Sequence, residues 1–172
     1  MAQIAIRTAK PGDARAIAEI HVSTWQTAYR GLMPDDFLAA LSVDERTQMW
    51  RNALSRPNPS RLTVAEFDGV PGGFCVYGPT RDDWAPDVAE IYALNIHPDR
   101  WRHGAGRALC EEAYGEAAAR GHTSITLWVM AGNASAQRFY ERLGYAGDGA
   151  ARTNSHLIGR AFEELRYRKV IA

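Results

Sequence analysis

The stretch from Ala89 to Gly121 constrains this chain more than any other. It opens as a strand-like run, AEIYALNIHP, and passes through Asp99-Arg100-Trp101-Arg102-His103-Gly104-Ala105-Gly106-Arg107. It then continues as a long helix rich in Ala, Leu and Glu. A strand that empties through a Gly-x-Gly turn into a helix makes a place to hold a phosphate. Residues without bulky side chains let consecutive backbone N–H groups converge on one anion. The helix adds the unpaired donors of its first turn and the positive end of its dipole. Arg100, Arg102, His103 and Arg107 bring cationic or titratable side chains to the same loop.

Three kinds of phosphate site compete for that loop. A P-loop needs Gly-x-x-x-x-Gly-Lys-Ser/Thr, which the chain lacks. A dinucleotide-binding turn wants a small residue three positions after its second glycine, where Leu109 stands. The third is the coenzyme A pyrophosphate loop, Gln/Arg-x-x-Gly-x-Gly/Ala, and the rest of the chain decides for it.

Along the chain, Ile4 and Ile6 mark a first strand, and Asp13 is placed to cap the helix that follows. That helix sets Ala18, Val22, Trp25 and Tyr29 on one stripe. A second helical piece follows Pro34, and Ser42 with Glu45 forms a capping-box pattern before a third. Residues 61–67 and 73–77 read as a hairpin about Asp68-Gly69, 88–97 as the opening strand, and 123–130 as another. A helix runs from Asn133 to Gly144, and the remainder, with Ile158 and the segment Phe162 to Val170, reads as two closing strands. The expected order is β-αα-β-β-β-α-β-α-β-β in one domain spanning residues 1–172.

That order and three motifs resemble the GNAT superfamily of N-acetyltransferases over nearly the whole chain. Gly104 and Gly106 match the coenzyme loop, with Trp101 where Gln or Arg is expected. The run Asn133-x-x-Ala136-x-x-Phe139-Tyr140-x-x-x-Gly144-Tyr145 matches the helix signature near the end of the fold. The strand AEIYALNI looks like its counterpart in histone-acetylating members, with a glutamate near the start. The resemblance implies an α/β (α+β) fold: a mixed central sheet of six to seven strands, splayed at the cofactor slot and flanked by helices. It implies acetyl-CoA as co-substrate, no metal, and contacts to it from Leu94, Asn95, Ile96, Arg102, His103, Gly104, Ala105, Gly106, Arg107, Asn133 and Tyr140.

An amine attacks a thioester only when neutral, and an exposed aliphatic amine is mostly protonated at neutral pH. A general base is therefore required, and Glu90 is the candidate, acting directly or through a water. Strict alternation groups Glu90 with Tyr92, Leu94 and Ile96 on one face of its strand. A backbone N–H near Asn95 or Ile96 is expected to stabilise the oxyanion, and the Tyr140 hydroxyl to protonate the leaving thiolate. Phe139 and Tyr140 point roughly 100° apart on a helix; Phe139 suits the core and Tyr140 the cofactor. Trp25, Tyr29 and Arg30 are candidates for an acceptor pocket, with Asp82, Asp83 and Asp87 available to draw in a cationic amine.

Twenty basic and twenty acidic residues cancel, which leaves no general attraction to nucleic acid or to anionic membranes. The five histidines show no paired ligand spacing, so no metal site is expected. No apolar run reaches membrane-span length, the start MAQIAIRTAK lacks a signal-peptide core, and Cys75 and Cys110 lie in apolar stretches. A cytoplasmic protein with buried free thiols is expected. The leading function is acetyl transfer to the primary amine of a small molecule by direct attack in a ternary complex. The alternatives are a protein N-terminus or lysine as acceptor, and an acyl-CoA-binding regulatory module without turnover. Homodimers are common among proteins with this resemblance.

Overall fold

The computed structural model describes residues 3–82 and 85–172. Its elements follow the expected order: β1 (Ile4–Thr8), α1 (Ala14–Ala28), α2 (Asp35–Ala39), α3 (Val43–Leu54), β2 (Arg61–Phe67) and β3 (Val70–Pro79). Then come β4 (Val88–Ile96), α4 (Ala105–Ala119), β5 (Ser124–Met130), α5 (Ala134–Arg142), β6 (Ala146–Asn154) and β7 (Phe162–Val170). The seven strands form one sheet in the order β1-β2-β3-β4-β5-β7-β6. Asp68 and Gly69 both have positive φ, 51° and 84°, as a two-residue hairpin turn with the sheet's own twist requires.

Helices cover both faces. On one, Leu109, Cys110 and Ala113 of α4 pack on Cys75, Ile91, Ile125 and Leu127, with Phe139 and Tyr140 of α5 against the same core. On the other, Ile17 and Ile20 of α1 and Trp50 of α3 pack on Val64 and Phe74. A third cluster joins Met33 and Leu38 to Met130 and Ile158, with Trp25, Tyr29, Phe37 and Phe162 around it. Cys75 and Cys110 are buried and unpaired with each other.

Two local expectations change. Asp13 stands at the head of α1, but its carboxylate accepts from the Arg7 guanidinium (2.8 and 2.9 Å) and the Lys10 N–H (2.6 Å), not from the helix. Ile158 lies between β6 and β7 and fills the third core cluster, while β6 itself is an exposed edge strand with no apolar alternation to announce it.

Two features of β4 position the site. β4 and β5 are parallel and pair only from Val88–Ser124 to Ile91–Leu127, although both strands run on, so they part beyond that point. In the same place Ile91 pairs with Tyr77 and Ala93 with Val76, which leaves Tyr92 as an extra, bulged residue. The bulge breaks the expected alternation. Ala89, Ile91, Leu94 and Ile96 all pack toward α4, so Glu90 and Ala93 face the α1 side. Among the described residues no helix is long and apolar enough to cross a membrane.

Candidate functional site

The loop from Trp101 to Gly104 leads into α4. Arg102 has a φ of 65° and Gly104, the N-cap of α4, a φ of 91°, so the chain turns sharply twice before the helix begins. The backbone N–H groups of residues 102–107 donate to no other described residue. A helix start leaves four such donors free; here the turn extends the run to six. With the helix dipole behind them they form an anion cradle, and the exposed Arg102, His103 and Arg107 stand around it. Trp101, in the position where the resemblance leads one to expect Gln or Arg, donates its indole N–H to the Ile96 carbonyl at 2.7 Å. The indole ties the loop to the end of β4. His103 Nδ1 lies 2.8 Å from the Trp101 carbonyl and steadies the same turn.

Gly106 has a reason for being small beyond the anion itself. A Cβ there would lie 3.0 and 3.2 Å from two carbons of the Phe139 ring. The first turn of α4 meets the second turn of α5 at this point, one residue before Tyr140.

The gap between β4 and β5 lies beside the loop. The His97 N–H donates to Gly72 of β3 at 2.8 Å, and the Asn95 carbonyl is turned toward Gly73. Strand alternation therefore turns the backbone of Leu94 and Ile96 toward the gap. Of the two donors expected for an oxyanion, Ile96 faces the right way and the Asn95 backbone does not; Leu94 joins Ile96. Thr24 Oγ1 lies 2.6 Å from the Ile20 carbonyl and 2.9 Å from the Ile96 carbonyl, shares its one proton between them, and braces the end of β4 from the α1 side. Nothing in the sequence pattern pointed to Thr24, because it looks like any polar residue on a helix.

Asn133 caps α5: its side chain accepts from the Ala136 N–H at 3.1 Å. Asn133→Ala is expected to cost about 1 kcal/mol of stability, measured as a lowered urea midpoint at unchanged slope. Tyr140, one residue after Phe139, is half-buried between Phe139 and Tyr145, with ring centroids at 5.1 and 5.8 Å. Burial pushes its phenol well above the ordinary tyrosine value, and the neighbouring Cys110, Cys75, Tyr29 and Tyr145 act in the same direction. The phenol therefore keeps its proton at any ordinary pH.

On the opposite face Glu90 is fully buried. Its carboxylate accepts from the Arg81 N–H (2.8 Å), Arg81 Nε (3.1 Å), Arg81 Nη2 (2.6 Å) and Thr80 Oγ1 (3.4 Å). The Arg81 side chain is 55% exposed and its guanidinium lies 4.3 Å from the centre of the bulged Tyr92 ring. Sequence reasoning missed Arg81, since a lone arginine in an aspartate-rich loop gives no hint of a buried partner nine residues on.

Trp25 and Tyr29 stack edge to face at 5.3 Å beside Phe37 and belong to the third core cluster. Burial and the nearby Glu164 raise the Tyr29 phenol. Arg30 is exposed and bridges Met33 through its backbone. Asp82 is engaged by Arg166 at 3.2 Å, and Asp87 accepts from Thr123 at 2.7 Å. Asp83 lies outside the described residues. No group of three or more His, Cys, Asp and Glu placed to hold a metal ion is found among the described residues.

Residues 14–145 match the family model described as the Acetyltransferase (GNAT) family. The chain is 30% identical to the uncharacterised N-acetyltransferase YuaI of Bacillus subtilis over 94% of this chain and 90% of that one. It is 31% identical to a Mycobacterium tuberculosis protein named a probable N-acetyltransferase, over 96% and 92% of the two chains. In fold it resembles the PaiA N-acetyltransferase of Thermoplasma acidophilum, solved with coenzyme A, at a TM-score of 0.78 and 19% identity, over 98% and 99% of the chains. This chain belongs to the GNAT acetyltransferase family.

Proposed function

We propose that this GNAT-family chain transfers an acetyl group from acetyl-CoA to the primary amine of a small molecule, by direct attack in a ternary complex. One observation carries the reading. β4 and β5 part after Ile91 and Leu127, directly beside six unpaired N–H groups at the head of α4. The cradle suits the pyrophosphate of coenzyme A, and the gap suits its extended arm. The thioester then lies across the sheet between the two faces.

Each side of the gap has its own task. The N–H groups of Leu94 and Ile96 receive the developing oxyanion. Tyr140, on the α5 side, gives its proton to the leaving sulfur. Glu90, on the α1 side, takes the proton of the attacking amine, directly or through a water. Because its carboxylate is held by Arg81, that role requires the exposed guanidinium to swing aside; Arg81 acts as a positioning residue.

The choice of a small acceptor rests on the third core cluster. A peptide needs an open groove between the early helices and the last hairpin. Here Met33 and Leu38 on one side and Ile158 on the other are buried together, with Trp25, Tyr29 and Phe162 packed around them. That contact closes one end of the groove with aromatic and aliphatic side chains.

A thiol-release assay with acetyl-CoA over a panel of small amines, N-terminal peptides and lysine peptides tests the reading. Turnover confined to small amines is expected. Turnover with peptides alone would transfer the assignment to a protein acetyltransferase. Tight acetyl-CoA binding with no turnover over the whole panel would leave a binding module.

A further inference from the structure

The two oxygens of Glu90 are held differently. Oε2 accepts from the Arg81 backbone N–H at 2.8 Å and from the Thr80 hydroxyl at 3.4 Å. Among the described residues, Oε1 accepts from the Arg81 side chain alone, through Nε at 3.1 Å and Nη2 at 2.6 Å. The loop backbone around it is pinned. The Asp82 N–H donates to Thr80 Oγ1 at 3.1 Å, and the Asp82 carboxylate meets Arg166 at 3.2 Å. The part free to move is the exposed Arg81 side chain.

That guanidinium is only half used. Its Nε and Nη2 face Glu90, and Nη1 donates to no described residue. Its central carbon lies 4.3 Å from the centre of the Tyr92 ring, whose phenol is anchored on the Pro79 carbonyl. A planar fork of five donors can serve a second carboxylate on the edge that Glu90 leaves open.

This arrangement sets terms for the acceptor. Glu90 is fully buried, and a buried carboxylate stripped of its cation is strongly disfavoured. An incoming ammonium can replace the guanidinium at Oε1, being itself a hydrogen-bonding cation. The guanidinium then needs an anion in its turn. An acceptor with a carboxylate one carbon from its amine supplies both charges together. One ion pair becomes two, and neither protein charge is left alone. An amine without a carboxylate turns Arg81 out to water and forfeits one pair. A peptide N-terminus carries an amide in the place of the carboxylate.

We propose that the acceptor is a free α-amino acid, its amine on Glu90 Oε1 and its carboxylate on the Arg81 guanidinium. The inference rests on the small-amine reading above and names the substrate class within it. The bound ammonium gives its extra proton to Glu90 and becomes the nucleophile. The N–C bond then forms as the C–S bond breaks, and the proton the nitrogen sheds balances the one that Tyr140 gives to sulfur. Arg81 sets which amines are accepted and takes no proton.

Thiol-release assays on the full chain with acetyl-CoA test the assignment with matched sets. Each set holds a common L-amino acid, its primary amide, and the amine that remains when the carboxyl group is removed. For at least one set, kcat/KM is expected to favour the amino acid over both others by about tenfold, as a charged hydrogen-bonded contact implies. Arg81→Gln, its fold checked by thermal melting, should erase the difference by raising the KM for the amino acid. Arg81→Lys keeps a cation beside Glu90 without the second edge, so it serves where the glutamine variant does not fold. It too should lose most of the preference. Amides or plain amines used as well as the amino acids by the wild type overturn the assignment and leave acetyl transfer to small amines standing. So does a folded Arg81 variant that keeps the tenfold preference. Turnover of no small amine at all removes the underlying reading, and the amino-acid assignment with it.

Discussion

Tyr140→Phe is expected to lower kcat by about 100-fold, the lower end of what a positioned proton donor contributes, with little change in the KM for acetyl-CoA. The ring is what packs: it lies between Phe139 and Tyr145, and phenylalanine keeps those contacts. Only the hydroxyl is lost. Burial holds the phenol well above its ordinary value, so it is protonated throughout the assay range and contributes no alkaline limb to the rate below pH 10. The same desolvation disfavours a free thiolate, so a proton delivered to sulfur in that setting is strongly favoured over release of an anion. Glu90→Gln is the companion variant. It keeps the shape and one acceptor oxygen for the Arg81 guanidinium, exchanges the other oxygen for an NH2 donor, and removes the base; it too should reduce kcat more than KM. Stopped-time thiol-release assays from pH 6 to 9 measure both. Full turnover by both variants across that range would sink the role assignments.

The second large effect concerns stability. His21 is buried on α1 among Trp25, Trp50 and Phe74, with ring centroids at 5.1, 5.8 and 6.2 Å. Its Nδ1 accepts from the Trp50 indole N–H at 3.3 Å, which places any proton on the other nitrogen. Burial, helped by the charge of Arg46, pulls the imidazole down to about 4. An unfolded histidine titrates near 6.5, so between these values the unfolded chain binds the extra proton. Neutral His21 therefore contributes stability in full above about pH 6.5. That contribution is lost as the pH falls toward 4 and amounts to about 3 kcal/mol. His21→Gln retains an acceptor for Trp50 and has nothing to titrate. Urea midpoints at pH 7.5 and 4.5 should fall further for the wild type than for the variant. Identical falls would mean that the carboxylates alone set the acid limb.

Much of the fold was legible because its strands and helices alternate around apolar stripes of the right period. The hairpin about Asp68-Gly69, the core strands and the helix capped by Asn133 all announce themselves this way. β6 does not: an edge strand with few apolar residues carries no periodic signal. The turn into α4 was legible too, since glycine spacing is a backbone requirement written in single residues. The bulge at Tyr92 was not. It depends on how β4 pairs with β3, a long-range register that no local pattern encodes. Missing it put Glu90 on the wrong side relative to Leu94 and Ile96. Arg81 and Thr24 were invisible for a related reason, because each acts through a partner distant along the chain or across the sheet.

That single extra residue in β4 has a kinetic consequence. In the proposed reaction it makes one strand a partition with two doors: Glu90, buried and held until the Arg81 guanidinium swings aside, serves the α1 side, and Leu94 and Ile96 serve the α4 side. On the proposed assignment the coenzyme enters from the α4–α5 side and the amine from the α1–α2 side. Neither reactant blocks the other's path, so binding order is free and spent coenzyme departs without waiting for the acetylated product. Initial-velocity patterns should intersect, and each product should compete only with the reactant that shares its door.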